Sequence, residues 1–160
     1  MMNSLAGRSM SRRVFYMREA LKLAQEACAK DEVPVGAVIV HDESIVARTH
    51  NQVETLKDPT AHAEMIALTQ ATATLGQKWL HDCDLYVTLE PCCMCAGALV
   101  LARLRGVYIG TMDPKAGACG SVFDIARDQR LNHRLEVRTG ILAAESRDLL
   151  QKFFAHKRKR

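Results

Sequence analysis

Four residues have the types and spacing that chemistry at a metal ion requires. A histidine and a glutamate stand two positions apart, and two cysteines three positions apart follow them: His62, Glu64, Cys92 and Cys95. Imidazole nitrogen and cysteine thiolate are typical zinc ligands. Residues three apart share one face of a helix, so both sulfurs can bind the same ion. The sequence therefore predicts one Zn2+ per chain, held by His62, Cys92 and Cys95.

The number of protein ligands distinguishes a catalytic zinc site from a structural one. Three ligands leave one tetrahedral position open, whereas structural sites are normally closed by four. The chain has no second Cys-x-x-Cys and no His-x-x-x-His that would complete a closed site. Glu64 diverges from His62 on a regular helix, so it is better placed to meet a water on the ion than to bind the ion. The pattern predicts hydrolysis with Glu64 as the catalytic, proton-transferring residue. A structural zinc site and ordinary buried thiols are the alternatives.

The remaining cysteines and the charge narrow the class of protein. Three of the six cysteines lie within residues 92–95, which in a reducing compartment indicates metal binding rather than disulfides. Cys28, Cys83, Cys93 and Cys119 are interpreted as buried thiols. The sequence shows neither a run of about twenty apolar residues nor a secretory signal, so we expect a cytoplasmic protein with no membrane partner. The net charge of +4 does not by itself indicate a nucleic-acid partner.

The length of 160 residues fits one domain. Residues 1–12 lack hydrophobic periodicity and are predicted to be a flexible basic leader, residues 13–156 form the zinc-dependent domain, and residues 157–160 form a basic tail. Basic residues at both ends are compatible with simple solvation and equally with attraction of phosphate.

Hydrophobic periodicity predicts the elements that position the candidate ligands. A helix from Val14, strands at 35–40 and 45–49, a helix from Asp58 to Leu75, a strand at 85–89, a helix from Glu90 to Arg103, strands at 107–109 and 135–139, and a final helix follow in that order. His62 then lies near the start of one helix, and Cys92 and Cys95 in the first turn of the next. Helices alternating with the later strands predict an α/β fold with a mixed five-stranded sheet between helical layers. The sheet order stays open.

Several longer segments accompany the candidate ligands. They are Val33-Pro-Val-Gly-Ala-Val38, Asp58-Pro-Thr-Ala-His-Ala-Glu64, Leu85-Tyr-Val-Thr-Leu-Glu-Pro-Cys92, Met94-Cys-Ala-Gly-Ala98, Asp113-Pro-Lys-Ala-Gly-Ala-Cys-Gly-Ser121 and Asn132-His-Arg134. In these segments, and over about residues 14–156, the chain resembles the bacterial tRNA adenosine deaminases of the cytidine-deaminase superfamily. The metal signature is shared with cytidine, cytosine and guanine deaminases, so it indicates the chemistry better than the substrate.

The resemblance implies a three-layer α/β/α cytidine-deaminase-like fold, a homodimer, and conversion of adenosine to inosine at the wobble position of a tRNA anticodon loop, principally in an arginine tRNA. It implies substrate contacts by Asn51, Asp113, Lys115, His133 and Arg134. From the residues alone, the favoured interpretation of Asn51 is a turn former after a strand, and that of Asp113-Pro114 is a turn. A zinc deaminase of a free base or nucleoside (guanine or cytosine) and a non-catalytic zinc module that binds RNA are the alternative functions.

Overall fold

The computed structural model describes residues 5–160, with side chains from Ser9 onward. Within that range the elements are α1 (Leu5–Ala29), β1 (Gly36–His41), β2 (Ser44–His50), α2 (Val53–Leu56), α3 (Ala63–Leu75), β3 (Cys83–Leu89), α4 (Cys93–Leu101), β4 (Gly106–Thr111), β5 (Glu136–Arg138) and α5 (Ala143–Arg158). This order matches the predicted alternation of helices and strands, with α2 as an addition.

The strands form one mixed sheet in the order β2-β1-β3-β4-β5. Strand β1 runs antiparallel to both β2 and β3, whereas β3, β4 and β5 are parallel neighbours. Parallel neighbours need a crossover connection, which α4 provides between β3 and β4. The predicted mixed five-stranded sheet is confirmed, and β3, which leads directly to the candidate cysteine ligands, lies at its centre.

Helices cover both faces of the sheet, because its central strands carry apolar side chains on both faces. On one face Val38 and Tyr86 pack with residues of α1 and the start of α5. On the other face Ile39 and Val87 pack with residues of α3 and α4. The result is the predicted three-layer α/β/α architecture. No helix within residues 5–160 has both the length and the apolar character needed to cross a membrane.

The hairpin between β1 and β2 is confirmed at the predicted turn. His41 pairs with Ser44, and the two residues between them, Asp42 and Glu43, have φ angles of 48° and 64°. Positive φ at both central positions matches the right-handed twist of the flanking strands. The hairpin ends at His50, which brings Asn51 to the edge of the sheet where the candidate ligands lie.

The two ends of the chain differ from the sequence interpretation. Residues 5–12, predicted to be part of a flexible leader, belong to α1, which begins at Leu5. Leu, Ala, Met and Arg favour helix, and a helix anchored further along extends without needing an apolar stripe. Residues 1–4 of the predicted leader lie outside the described residues. At the other end α5 continues through Arg158, and Lys157 forms an ion pair with Asp31 at 2.8 Å, so the segment 157–160 is not a separate tail.

The helix predicted from Asp58 to Leu75 begins five residues later. Oδ1 of Asp58 accepts hydrogen bonds from the N–H and the hydroxyl of Thr60, at 2.8 and 2.7 Å. Asp58 therefore closes an Asx-type turn instead of capping the helix. The helix α3 begins at Ala63 and ends at Leu75, as predicted, before the left-handed Gly76. His62 lies just ahead of α3 rather than within it.

Candidate active site

Two helix N-termini meet at the metal-binding residues. His62 is the residue before α3, and Cys92 is the residue before α4; both have extended backbone conformations, with ψ of 151° and 179°. Cys95 lies in the first turn of α4 and is buried. Both helices therefore direct their unpaired N–H groups and positive dipole ends toward the same point. That field favours the thiolate form of the two cysteines.

The three predicted ligands lie at distances that suit zinc. Nδ1 of His62 is 3.7 Å from Sγ of Cys92 and 3.5 Å from Sγ of Cys95. The ligand atoms all lie within 4.8 Å of one another. Zn–S and Zn–N bonds of about 2.3 and 2.0–2.1 Å at a tetrahedral angle place sulfur and nitrogen about 3.6 Å apart. The residues present therefore fit a Zn2+ ion with three protein ligands.

The pKa values of the three ligand side chains are shifted in different directions by their contacts with one another. Hydrogen bonds from Cys95 and from His62 lower the pKa of Cys92 to about 3. The hydrogen bond that Cys95 donates to Cys92, together with burial, raises the pKa of Cys95. The hydrogen bond between His62 and Cys92 raises the pKa of His62. These contacts favour the thiolate form of Cys92, and a divalent cation favours the same form at Cys95.

Glu64 lies in the first turn of α3, with only 4 % of its surface exposed. Burial raises its pKa to about 6, and the nearby negative charge of Cys92 acts in the same direction. A carboxyl group with a pKa near the working pH is well suited to accept and return a proton. Glu64 thus lies beside the three ligands, and its role as a proton-transfer residue stays a prediction.

A cavity of about 630 Å³ opens beside the three ligands, and His62, Glu64 and Cys92 form part of its wall. Asn51, 6 % exposed, lines the same cavity at the end of β2. Asp113, which follows β4, also lines it. Helix α5 contributes Phe153, Phe154 and Lys157 to the wall. The structure thus brings Asn51 and Asp113, two of the five predicted substrate contacts, to the metal site.

The other three predicted substrate contacts do not line this cavity. Lys115 is exposed on the same loop as Asp113, and its N–H donates to Oδ1 of Asp113 at 2.9 Å. Nε2 of His133 contacts the backbone carbonyl of Leu104, and Arg134 is exposed beside it. His133 and Arg134 lie shortly before β5, at the end of the sheet where strands β3 and β4 begin. The metal site lies at the other end of the sheet, where those strands finish, so these two residues face a different part of the surface.

The sequence analysis missed several contributors to the site. Glu32 is fully buried and accepts the N–H groups of Glu54 and Thr55, at 3.2 and 2.8 Å, which fixes the turn α2 at the cavity rim. Lys157 lines the cavity, although the sequence interpretation assigned it to a tail. A buried glutamate that binds backbone N–H groups of a distant segment has no local sequence signal.

The free cysteines outside the site follow the prediction only in part. Cys83 and Cys119 are buried, as predicted, and Cys28 is half-buried. Cys93 is exposed rather than part of the core, so the prediction that it is buried is wrong.

Comparison with known proteins agrees with the metal geometry. Residues 10–111 match the model of the cytidine and deoxycytidylate deaminase zinc-binding region. The chain belongs to this deaminase family. It is therefore a zinc-dependent deaminase, and the matched region contains the three ligands and Glu64. The prediction of a zinc cofactor is confirmed.

Two relatives of this deaminase are named tRNA-specific adenosine deaminase. The one from Bacillus subtilis (strain 168) is 46 % identical over 145 residues, covering 91 % of this chain and 90 % of its own. The one from Aquifex aeolicus (strain VF5) is 48 % identical over 140 residues, covering 88 % and 92 %.

Solved structures of similar proteins include two kinds of deaminase. One comes from work on A-to-I editing by tRNA:A34 deaminases at the wobble position of transfer RNA, with 43 % identity and a TM-score of 0.82 over 85 % of this chain and 99 % of that one. Another is a guanine deaminase from Nitrosomonas europaea, with 26 % identity and a TM-score of 0.72 over 88 % of this chain and 83 % of that one.

Proposed function

We propose that this deaminase converts adenosine to inosine at the wobble position of a tRNA anticodon loop, principally in an arginine tRNA. The observation that carries the proposal is the buried Glu64 beside three zinc ligands in a cavity that Asn51 also lines. The similarity to tRNA-specific adenosine deaminases supports the choice of substrate, because it extends over about nine-tenths of the chain. Such a substrate would place the enzyme in the cytoplasm.

Each residue of the cavity has a separate role in the proposed reaction. His62, Cys92 and Cys95 hold zinc, which when bound supplies an activated water molecule as the nucleophile. Glu64 takes a proton from the attacking water and delivers it to ring nitrogen N1 of adenine, and a second transfer to the exocyclic amine releases ammonia. Adenosine and water thus become inosine and ammonia. The side-chain amide of Asn51 pairs with the edge of the base, an interaction suited to purines.

The substrate must reach a cavity that is too small for a duplex. A single-stranded loop allows the target base to leave its stack at little cost. Phe153 and Phe154, at the end of α5, provide aromatic surface at the cavity wall, and Lys157 provides a positive charge near it. Lys115, exposed beside Asp113, is available to a backbone phosphate. His133 and Arg134 are not part of this proposed contact surface, because they lie at the other end of the sheet, where strands β3 and β4 begin.

We also propose a homodimer. The face of α4 that points away from the sheet is apolar and includes Cys93, Met94, Gly97, Ala98 and Leu101. Cys93 is exposed and Leu101 retains 78 % of its surface. An apolar helix face of this kind can pack against its own copy about a two-fold axis. Sedimentation analysis giving the mass of two chains would support this assignment, and the mass of one chain would contradict it.

The experiment that tests the function uses purified zinc-loaded protein and an arginine tRNA transcript with adenosine at the wobble position. We expect inosine at that position alone and one ammonia per inosine. Glu64→Ala should retain one zinc per chain and lose turnover by about 10²–10⁴-fold, because the proton carrier is removed. Near-normal turnover in that variant would contradict the assigned role of Glu64.

Two further substrates distinguish the alternatives. Ammonia released from free guanine or cytosine, with the tRNA left unmodified, would identify a base deaminase, the class to which the similar Nitrosomonas europaea structure belongs. Binding of the transcript without any ammonia from either kind of substrate would identify a non-catalytic RNA module. Burial of Glu64 beside the ligands favours catalysis, because a structural metal needs no such carboxylate.

A further inference from the structure

The segment from Asp113 to Ser121 follows β4 and forms one wall of the substrate cavity. Asp113 and Ala116 line the cavity directly. The backbone of this segment makes a tight turn, in which Oδ1 of Asp113 accepts the N–H groups of Lys115 and Ala116 at 2.9 and 3.3 Å. We call residues 113–121 the cavity loop. Its residues 114–116 are exposed, whereas residues 117–119 are buried, so specific contacts must hold this segment in place.

The carboxylate of Glu90 contacts the cavity loop at several points. Its side chain is buried, with 2 % of its surface exposed. Oε1 accepts the N–H of Asp113 at 2.9 Å and the hydroxyl of Ser121. Oε2 accepts the N–H groups of Cys119 and Ser121 at 3.0 and 3.1 Å. All these partners are donors, and an ionised carboxylate, which only accepts, satisfies all of them.

The cavity loop is also shaped to fit this carboxylate. A Cβ atom at Gly117 would lie 2.2 Å from both the carboxyl carbon and Oε1 of Glu90, so only glycine allows the loop to close around the side chain. The backbone adds two further links, from the N–H of Glu90 to the carbonyl of Thr111 at 2.9 Å and from the N–H of Ala118 to the carbonyl of Pro91 at 2.8 Å. The loop is thus built around residues 90 and 91.

We propose that Glu90 is a positioning residue that fixes the cavity loop at a set distance from the zinc ligands and so determines how well the substrate binds. Glu90 stands two residues before Cys92, so the segment that ends in a metal ligand also holds the cavity loop. Glu90 itself lines the cavity, but its carboxylate oxygens accept hydrogen bonds from the loop, so we assign it a positioning role and not proton transfer. The identity of the substrate in this proposal rests on the proposed function, whereas the positioning itself does not.

The first test is Glu90→Gln in the zinc-loaded protein. Glutamine has the same shape, but its amide nitrogen directs N–H groups at N–H donors of the loop and leaves at least one of them unpaired. We expect hydrogen exchange at the backbone amides of Asp113, Cys119 and Ser121 to accelerate by about tenfold or more. Zinc should stay at one per chain. The KM for the tRNA transcript should rise by about tenfold, with kcat changed by less than about threefold.

Two variants approach the same contact from the loop side. Gly117→Ala forces a methyl group against the carboxylate and should reproduce the exchange and KM changes of Glu90→Gln. The double variant should show less than the sum of the two effects, because both act through one contact. Ser121→Ala removes only the hydroxyl donor, so it should give a smaller change in the same direction and remain informative if Glu90→Gln does not fold. Glu145→Gln, an exposed glutamate in the first turn of α5, is the matched control and should leave both readouts unchanged.

The outcomes separate this proposal from the proposed function. Unchanged exchange and an unchanged KM in folded, zinc-loaded Glu90→Gln would overturn the positioning role. A loss of activity that follows a loss of zinc would overturn it too, because Glu90 would then serve the cysteine ligands instead of the loop. If the wild-type protein does not deaminate tRNA, the proposed function fails, and hydrogen exchange at the loop amides still decides whether Glu90 positions them.

Discussion

Gly36 lies against the backbone of α1, and replacing it with alanine should be severely destabilising. Gly36 begins β1 and packs on the middle of α1. A Cβ atom at this position would lie 2.0 Å from the backbone oxygen of Ala20, 2.6 Å from the backbone nitrogen of Ala24 and 2.9 Å from Cβ of Leu23. Two of these three atoms belong to the helix backbone, so no side-chain rotation relieves the contact.

The cost follows from how far α1 must move. A comfortable carbon–oxygen contact exceeds 3 Å, so a separation of 2.0 Å requires a displacement of more than about 1 Å. That displacement opens the packing of Met17, Ala20 and Ala24, which are fully buried against the sheet. Overpacking of a core typically costs about 1–3 kcal/mol. Because the atoms in the way belong to the helix backbone, we expect the free energy of unfolding to fall by about 3 kcal/mol. A loss of this size lowers Tm by about 6–12 °C in a domain of this length.

Urea and thermal unfolding of Gly36→Ala beside Gly106→Ala provide the measurement and its control. Gly106 likewise begins a strand, β4, but a Cβ there meets the flexible Asp84 carboxylate at 3.1 Å and the Glu136 carbonyl at 3.3 Å. Shifts of a few tenths of an ångström relieve these contacts, so Gly106→Ala should cost less than about 1 kcal/mol. The assigned packing of α1 on β1 is refuted if Gly36→Ala is as stable as wild type or more stable than Gly106→Ala.

Two further predictions concern the site and the cysteines. Asn51→Ala should retain one zinc per chain and reduce kcat/KM for deamination by about tenfold, because the base loses a hydrogen-bonding partner in a buried pocket; unchanged kinetics would remove Asn51 from the contact surface. Burial raises the pKa of Cys83 to about 11 and that of Cys119 to about 12, so at pH 8 both are protonated thiols and poor nucleophiles. In the native zinc-loaded protein, mass spectrometry after iodoacetamide treatment at pH 8 should find Cys83 and Cys119 unmodified, whereas the urea-unfolded protein should be modified at both. Rapid modification of Cys83 at pH 8 would contradict its burial.

The metal site was predictable from sequence because its determinants are local. The residue types and the spacing of His62, Cys92 and Cys95 can be seen in the sequence. Together they leave few possible sets of ligands for a metal ion. The helix starts were less predictable. His62 and Cys92 occupy the N-cap positions of α3 and α4 without making a side-chain capping hydrogen bond. Capping preferences therefore point to Asp58 instead, and the sequence interpretation began the first of these helices five residues early.

Tertiary contacts between distant segments explain what the sequence did not reveal. The position of His133 depends on β5 lying parallel to β4, which places it at the edge of the sheet opposite the metal. Lys157 belongs to the cavity because α5 packs across the sheet and Asp31 pairs with its end. Neither position can be predicted from hydrophobic periodicity or from residue spacing, because each depends on the order of strands in the sheet. Sheet order was the one property of the fold that the sequence left open.

The two buried glutamates near the site show why burial alone does not identify a proton carrier. Glu90 accepts three backbone N–H groups and one hydroxyl, which together occupy the acceptor capacity of a carboxylate. Glu64 instead lies against the zinc ligands on the cavity wall, and burial brings its pKa to about 6. The contacts therefore favour different roles for the two glutamates: Glu64 is placed to transfer protons beside the zinc ligands, and Glu90 is placed to hold the cavity loop.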